Sequence, residues 1–130
     1  MTDRREPTGR DALGELIGIE HLEPGEATAR ARVPVTDRIL QPYGLVHGGV
    51  YSMLAETVCS RATHEAVMGE GKAALGQSNN AIFLRPISDG HVNAAAHARH
   101  RGRTSWVWQV EITDDEGRLC ALVELVVAVR

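Results

Sequence analysis

Three residues in a row, His47-Gly48-Gly49, stand just before a stretch with helical periodicity, and an isolated acid, Glu56, follows nine residues after the histidine. The first backbone N–H groups of a helix lack intrahelical partners, and the aligned peptides add partial positive charge there. Glycine lets a ligand approach that backbone closely. Such a terminus would hold an oxygen that gains negative charge during acyl transfer. Read alone, the two glycines shape a tight loop and Glu56 is a solvated surface acid. The company of Glu56 argues against that plain reading. Gly49, Ser52, Ser60 and Thr63, expected on its helix face, are small and weakly polar rather than Lys or Arg. Ser60 falls one turn on, within reach of the Glu56 side chain, and Gln41 lies six residues before His47.

The spacing makes a geometric demand. Gly48 and Glu56 are eight residues apart, about 12 Å along a helix at ~1.5 Å per residue. A carboxylate that attacks a carbonyl, or directs water onto it, must come within roughly 3–3.5 Å. One straight helix cannot bring both groups to the same substrate. A second, antiparallel copy can, so composite sites at a two-fold dimer interface are expected.

The elements that must position these residues follow from periodicity. The apolar positions Val50, Met53, Leu54, Thr57, Val58 and Ala62 recur at three- and four-residue steps, which predicts one long helix over 49–68, closed by Gly69 and Gly71. Before it, a short helix is expected over 11–16. Ile17–Leu22 reads as a partner strand for 25–33, where Ala27, Ala29, Ala31 and Val33 face one way. After it come strands at 73–84, 92–99, 106–112 and 119–129, joined by tight turns that imply antiparallel neighbours. The almost continuous apolar run of 119–129 suggests a central strand covered on both faces. The helix stripe must be buried, and the sheet is the layer available to bury it. The fold class is therefore α+β: a curved antiparallel sheet wrapped around one long helix. Residues 1–10 read as a loose polar leader and 11–130 as a single domain.

At this point the residues resemble a family. The run from Gln41 through His47-Gly48-Gly49 to Leu54-Ala55-Glu56 and Ser60 resembles the hotdog-fold thioesterases. It is most similar to the branch that acts on 4-hydroxybenzoyl-CoA, in the phenylacetate pathway and in enterobactin proofreading. The likeness continues through Gly76, Asn80, Leu84-Arg85-Pro86, Gly102-Arg103, Val107-Trp108 and Gly117-Arg118-Leu119-Cys120. It implies hydrolysis of an acyl-CoA, aromatic or medium-chain, with Gly48 N–H holding the thioester oxygen. His47 and Gln41 would orient the carbonyl or the water. Glu56 of a partner chain would act as nucleophile or as base, assisted by Ser60. Gly49, Asn80, Arg101, Arg103 and Thr104 are the expected substrate and coenzyme A contacts. Phenylacetate-pathway members carry aspartate at the position of Glu56, and some relatives carry histidine at that of Phe83. Thiolate leaves readily, so no metal or cofactor is expected; coenzyme A enters as part of the substrate.

The remaining composition narrows the alternatives. A formal net charge of −3 and five aromatic residues give neither a basic field nor a stacking platform for nucleic acid. No apolar run approaches the ~20 residues of a membrane span, and the polar start lacks the apolar stretch of a signal peptide, so a cytoplasmic protein is expected. Cys59 and Cys120 form no paired-spacing motif and are expected as free thiols. Arg99, Arg101 and Arg103 with Thr104 make a basic patch: a solvated strand end, or a landing place for coenzyme A phosphates. His97 and His100, three apart on a strand, should point to opposite faces, and His21, His64 and His91 read as surface residues. Trp106 and Trp108 share a face and suit core or interface. Self-association as a dimer or dimer of dimers is expected. A hydroxyacyl dehydratase of the same fold and a non-catalytic acyl-CoA sensor are the alternatives. The dehydratase lacks its usual surroundings at His47, and no DNA-binding segment flanks the domain as a sensor would need.

Overall fold

A computed structural model describes residues 5–130. Asp11 opens α1 (Ala12–Ile17) by accepting the Gly14 N–H, and left-handed Gly18 ends it. The strands β1 (Glu20–His21) and β2 (Thr28–Pro34) precede a 3₁₀ turn at Asp37–Ile39. The long helix α2 spans Gly48–Val67, followed by a 3₁₀ turn at Met68–Glu70 and left-handed Gly71. Four strands complete the chain: β3 (Ala74–Phe83), β4 (His91–Arg101), β5 (Ser105–Thr113) and β6 (Leu119–Val129). All six strands form one antiparallel sheet in the order β1-β2-β4-β5-β6-β3.

The core lies between α2 and one face of the sheet. Leu54, Ala55, Val58 and Cys59 meet Val33, Val92, Trp108, Val110, Ile112 and Leu125 there. Buried alanines at 29, 31, 94 and 96 leave β2 and β4 without bulk, so the helix can come close to them. The buried stripe is turned relative to the sequence expectation. Tyr51, Ala55, Cys59 and Thr63 face inward, whereas Met53, Thr57 and Ala62 are half-buried. Thr63 was expected beside Glu56 on the outer face; it is fully buried instead. Its hydroxyl donates to the Cys59 carbonyl at 2.8 Å and accepts the Trp108 indole N–H at 2.9 Å. A hydroxyl that returns its proton to the helix backbone can be buried without an unsatisfied group.

Other expectations are corrected by local backbone. The strand expected over 17–22 shrinks to Glu20–His21 because α1 and its Gly18 cap occupy the start. Ala27 has φ 54 and lies in the turn before β2, so it is not part of the inward row. A bulge between Ala98 and His100 resets the alternation of β4. His97 pairs with Gln109 and His100 with Val107, so both fall on the outer face rather than on opposite ones. β6 is central, but Leu122 and Glu124 are exposed on its outer face. Trp108 is buried and Trp106 half-buried, their rings 5.9 Å apart. No helix among the described residues is long and apolar enough to cross a membrane.

Candidate active site

The start of α2 is capped by its own histidine. His47 has extended backbone (φ −61, ψ 131), and its Nδ1 accepts the Gly49 N–H at 2.8 Å. That bond fixes the neutral tautomer with the proton on Nε2. It also occupies Gly49, which was expected as a substrate contact, so the Gly49 amide is not available. Val50 N–H goes to the His47 carbonyl at 2.9 Å. Gly48 N–H has no acceptor among the described residues. Gln41 Oε1 accepts the Tyr43 N–H, which leaves its NH₂ end as a donor. Gly48 and Gln41 share a cleft of about 310 Å³ with Tyr51, Phe83 and Arg85. The Phe83 ring closes over Gly48: a Cβ there would lie 3.1 Å from it. The free Gly48 N–H and the Gln41 NH₂ are both hydrogen-bond donors, which is what a developing oxyanion requires.

Glu56 and Ser60 lie two and three turns further along α2, and together they line a larger cleft of about 670 Å³. Its opposite wall comes from Gly9, Arg10, α1 and His21. Residues 5–10, within the expected leader, form no helix or strand, but Arg10 pairs with Glu15 and reaches this wall; residues 1–4 lie outside the described residues. His21, expected on the surface, is half-buried. Burial, and then the Arg61 charge, push its pKa down from the usual range. The Glu56 carboxylate rests against β3, accepting from Asn79 Nδ2 at 3.3 Å. Ser60 makes no hydrogen bond to it among the described residues. Within one chain, then, the structure joins Gly48 with Gln41 and Glu56 with Ser60, in two separate clefts.

The expected substrate contacts divide further. Asn80 pairs with Glu124 and lines an outer-face cleft of about 360 Å³ with His97 and Arg99, away from Glu56. Its neighbour Asn79, which the sequence reading passed over, is the residue on the acid. Arg101 and Arg103 line a cleft of about 300 Å³ with Lys72, Glu70 and Trp106 at the far end of α2. The Arg101 guanidinium sits 5.9 Å from the Trp106 ring. The Thr104 carbonyl accepts the Val129 N–H at 2.9 Å, fixing the turn beside them. No group of three or more His, Cys, Asp or Glu side chains among the described residues could hold a metal ion.

A helix wrapped by an antiparallel sheet, with a donor-rich diglycine start and an acid on the exposed helix face, defines the hotdog class of thioester hydrolases. Residues 43–121 match the family model of the thioesterase superfamily, and the chain belongs to that family. It is similar to the proofreading thioesterase EntH of Cronobacter turicensis, 36% identical over 122 residues that cover 94% of this chain and 88% of that protein. A thioesterase from Haemophilus influenzae superposes with a TM-score of 0.87 at 38% identity, covering 92% of this chain and 83% of that one. A variant of a Pseudomonas aeruginosa thioesterase does so with a TM-score of 0.88 at 34% identity, covering 92% and 86%.

Proposed function

We propose that this chain hydrolyses an acyl-CoA thioester, aromatic or medium-chain, at a site shared by two copies. The observation that carries the reading is the separation of the donor cluster at Gly48 from the carboxylate at Glu56. They occupy different clefts, eight residues apart on one helix, about 12 Å by helical rise. Neither cleft alone holds both an oxyanion site and an acid. An antiparallel partner helix would set Glu56 of the second copy against Gly48 of the first.

The edge of the sheet supports such pairing. β3 lies at one end of the strand order, and its Leu75, Ile82 and Phe83 are all more than half exposed. Joining two β3 edges would bury them and continue the sheet. The outer-face cleft mixes His97 and Arg99 with Glu111, Glu124 and the apolar Ile82 and Leu122. Such a surface suits self-association of dimers.

In the reaction, Gly48 N–H, with the Gln41 amide and His47 Nε2–H nearby, receives the charge growing on the thioester oxygen. Glu56 either takes a proton from water as that water attacks, or attacks itself to form an anhydride that water then opens. In both routes the carbonyl carbon gains an oxygen, the C–S bond breaks, and the thiolate of coenzyme A takes up a proton. Lys72, Arg101 and Arg103 provide cations for its phosphates. No metal or other cofactor enters the scheme.

The test is thiol release from a panel of aromatic and aliphatic acyl-CoAs, wild type against Glu56→Ala. The variant should lose roughly 10²–10⁴ in kcat while remaining folded and oligomeric. Near-normal kcat in Glu56→Ala, or no thiol released from any acyl-CoA, would overturn the reading.

A further inference from the structure

We infer that Asn79 is a positioning residue that orients the Glu56 carboxylate and leaves one of its oxygens free to react; this rests on the reading that Glu56 is the reacting acid. The Asn79 amide nitrogen lies 2.9 Å from the Ser52 carbonyl and 3.3 Å from Glu56 Oε1. Both partners are acceptors, so only the NH₂ end of the amide fits, and it spends one N–H on each. Ser52 O is also the acceptor for the Glu56 N–H in the helical ladder. Asn79 therefore grips the turn of α2 that carries Glu56 at its backbone and at its side chain together.

The other oxygen is treated differently. Gly76 faces it, and a Cβ at Gly76 would stand 3.1 Å from Glu56 Cδ and 3.2 Å from Oε2. Oε2 accepts no hydrogen bond among the described residues. β3 thus offers a donor to Oε1 and open space to Oε2. Gly76 and Asn79 are three residues apart and would face opposite sides of a regular strand. The β3 bulge between Gly76 and Ser78 brings them to the same side. The acid is held in one rotamer with a defined free lone pair, the condition that near-attack geometry sets.

The experiment compares Asn79→Ala, Asn79→Asp and Asn79→Gln in the full chain, with kcat, KM and melting temperature measured on each. Asn79→Asp keeps the shape and loses the donor; Asn79→Gln keeps the donor on a longer arm. Asn79→Ala and Asn79→Asp should lower kcat about tenfold or more and leave KM within about twofold, as an interaction of the reacting group does. Asn79→Gln should recover part of the loss. Wild-type kcat in Asn79→Asp, with Glu56→Ala inactive, would overturn the positioning role alone. An active Glu56→Ala would instead remove the reading beneath it. Losses in all three variants that track melting temperature, with no recovery in Asn79→Gln, would reduce Asn79 to a structural residue.

Discussion

Two inactive chains should make an active enzyme when they share an oligomer. The pair is Glu56→Ala, which lacks the acid, and Gly48→Pro, which lacks the donor. Proline suits this position unusually well. Gly48 is the first residue of α2, where a missing N–H breaks no helical bond. His47 before it already has ψ 131, the extended backbone that a following proline requires. The added ring meets Phe83 at about the 3.1 Å Cβ distance, so that ring must shift, and the Gly48→Pro parent refolded alone checks that the chain still folds and dimerises. Removing one oxyanion donor costs roughly 10²–10³ in kcat, so each parent is nearly silent. Unfolding the two together in equal amounts and refolding them gives mixed dimers in about half of the pairs. Each mixed dimer has one site with both wild-type parts and one with neither. About a quarter of all sites, and hence about a quarter of wild-type kcat per chain, should return. The assay is thiol release, with each parent refolded separately as the control. Well-mixed dimers with no activity above the parents would refute composite sites, because catalysis within one chain leaves every site with a lesion.

Three further outcomes follow from the same structure. Thr63→Val keeps the volume but strands the buried Trp108 indole N–H. It should cost about 1–3 kcal/mol, read by denaturant unfolding at fixed protein concentration, and an unchanged midpoint would contradict that bond. Burial pushes the Asp114 carboxyl up, but the Arg118 N–H and guanidinium and the Glu116 N–H outweigh it and hold the pKa below the ordinary range. That contribution is complete above the unfolded pKa of ~3.9 and is lost as pH falls through the lower folded value. Asp114→Asn should therefore be less stable than wild type at pH 7, with the gap closing in acid; a gap that does not depend on pH would contradict the ionic account. Cys59 and Cys120 are fully buried free thiols, both pushed up in pKa by burial. Neither should react with a thiol-trapping dye until the protein unfolds, and titration of native protein before substrate is added checks this.

Much of the architecture was legible because periodicity reports burial directly. The long helix, expected over 49–68, spans Gly48–Val67, and the last strand is Leu119–Val129 as read. Residues that alternate against a single core, such as Val92, Ala94 and Ala96, were read correctly. Some of the failures come from irregular backbone, since alternation is informative only while the strand stays regular. Bulges at Ala98/His100 and Gly76/Ser78 reverse parity without any change in hydrophobicity. They moved His100 to the face of His97 and set Gly76 on the same side as Asn79, against Glu56. Thr63 failed for a different reason: its polarity reads as exposure unless its buried partner Trp108 is already known. At the site, the run 41–49 announced a donor-rich helix start. That Gly49 is spent on His47 depends on a rotamer, which residue spacing does not encode.

The strand Ala74–Phe83 carries no charged residue and no proline in its ten positions. Those are the devices by which exposed strand margins usually repel strangers. Such a margin is a template for any extended peptide. On the proposed pairing, docking with its own twin would cover that margin as well as complete the site. A substitution meant to yield a tidy monomer, by spoiling that seam without adding charge, should give precipitate instead.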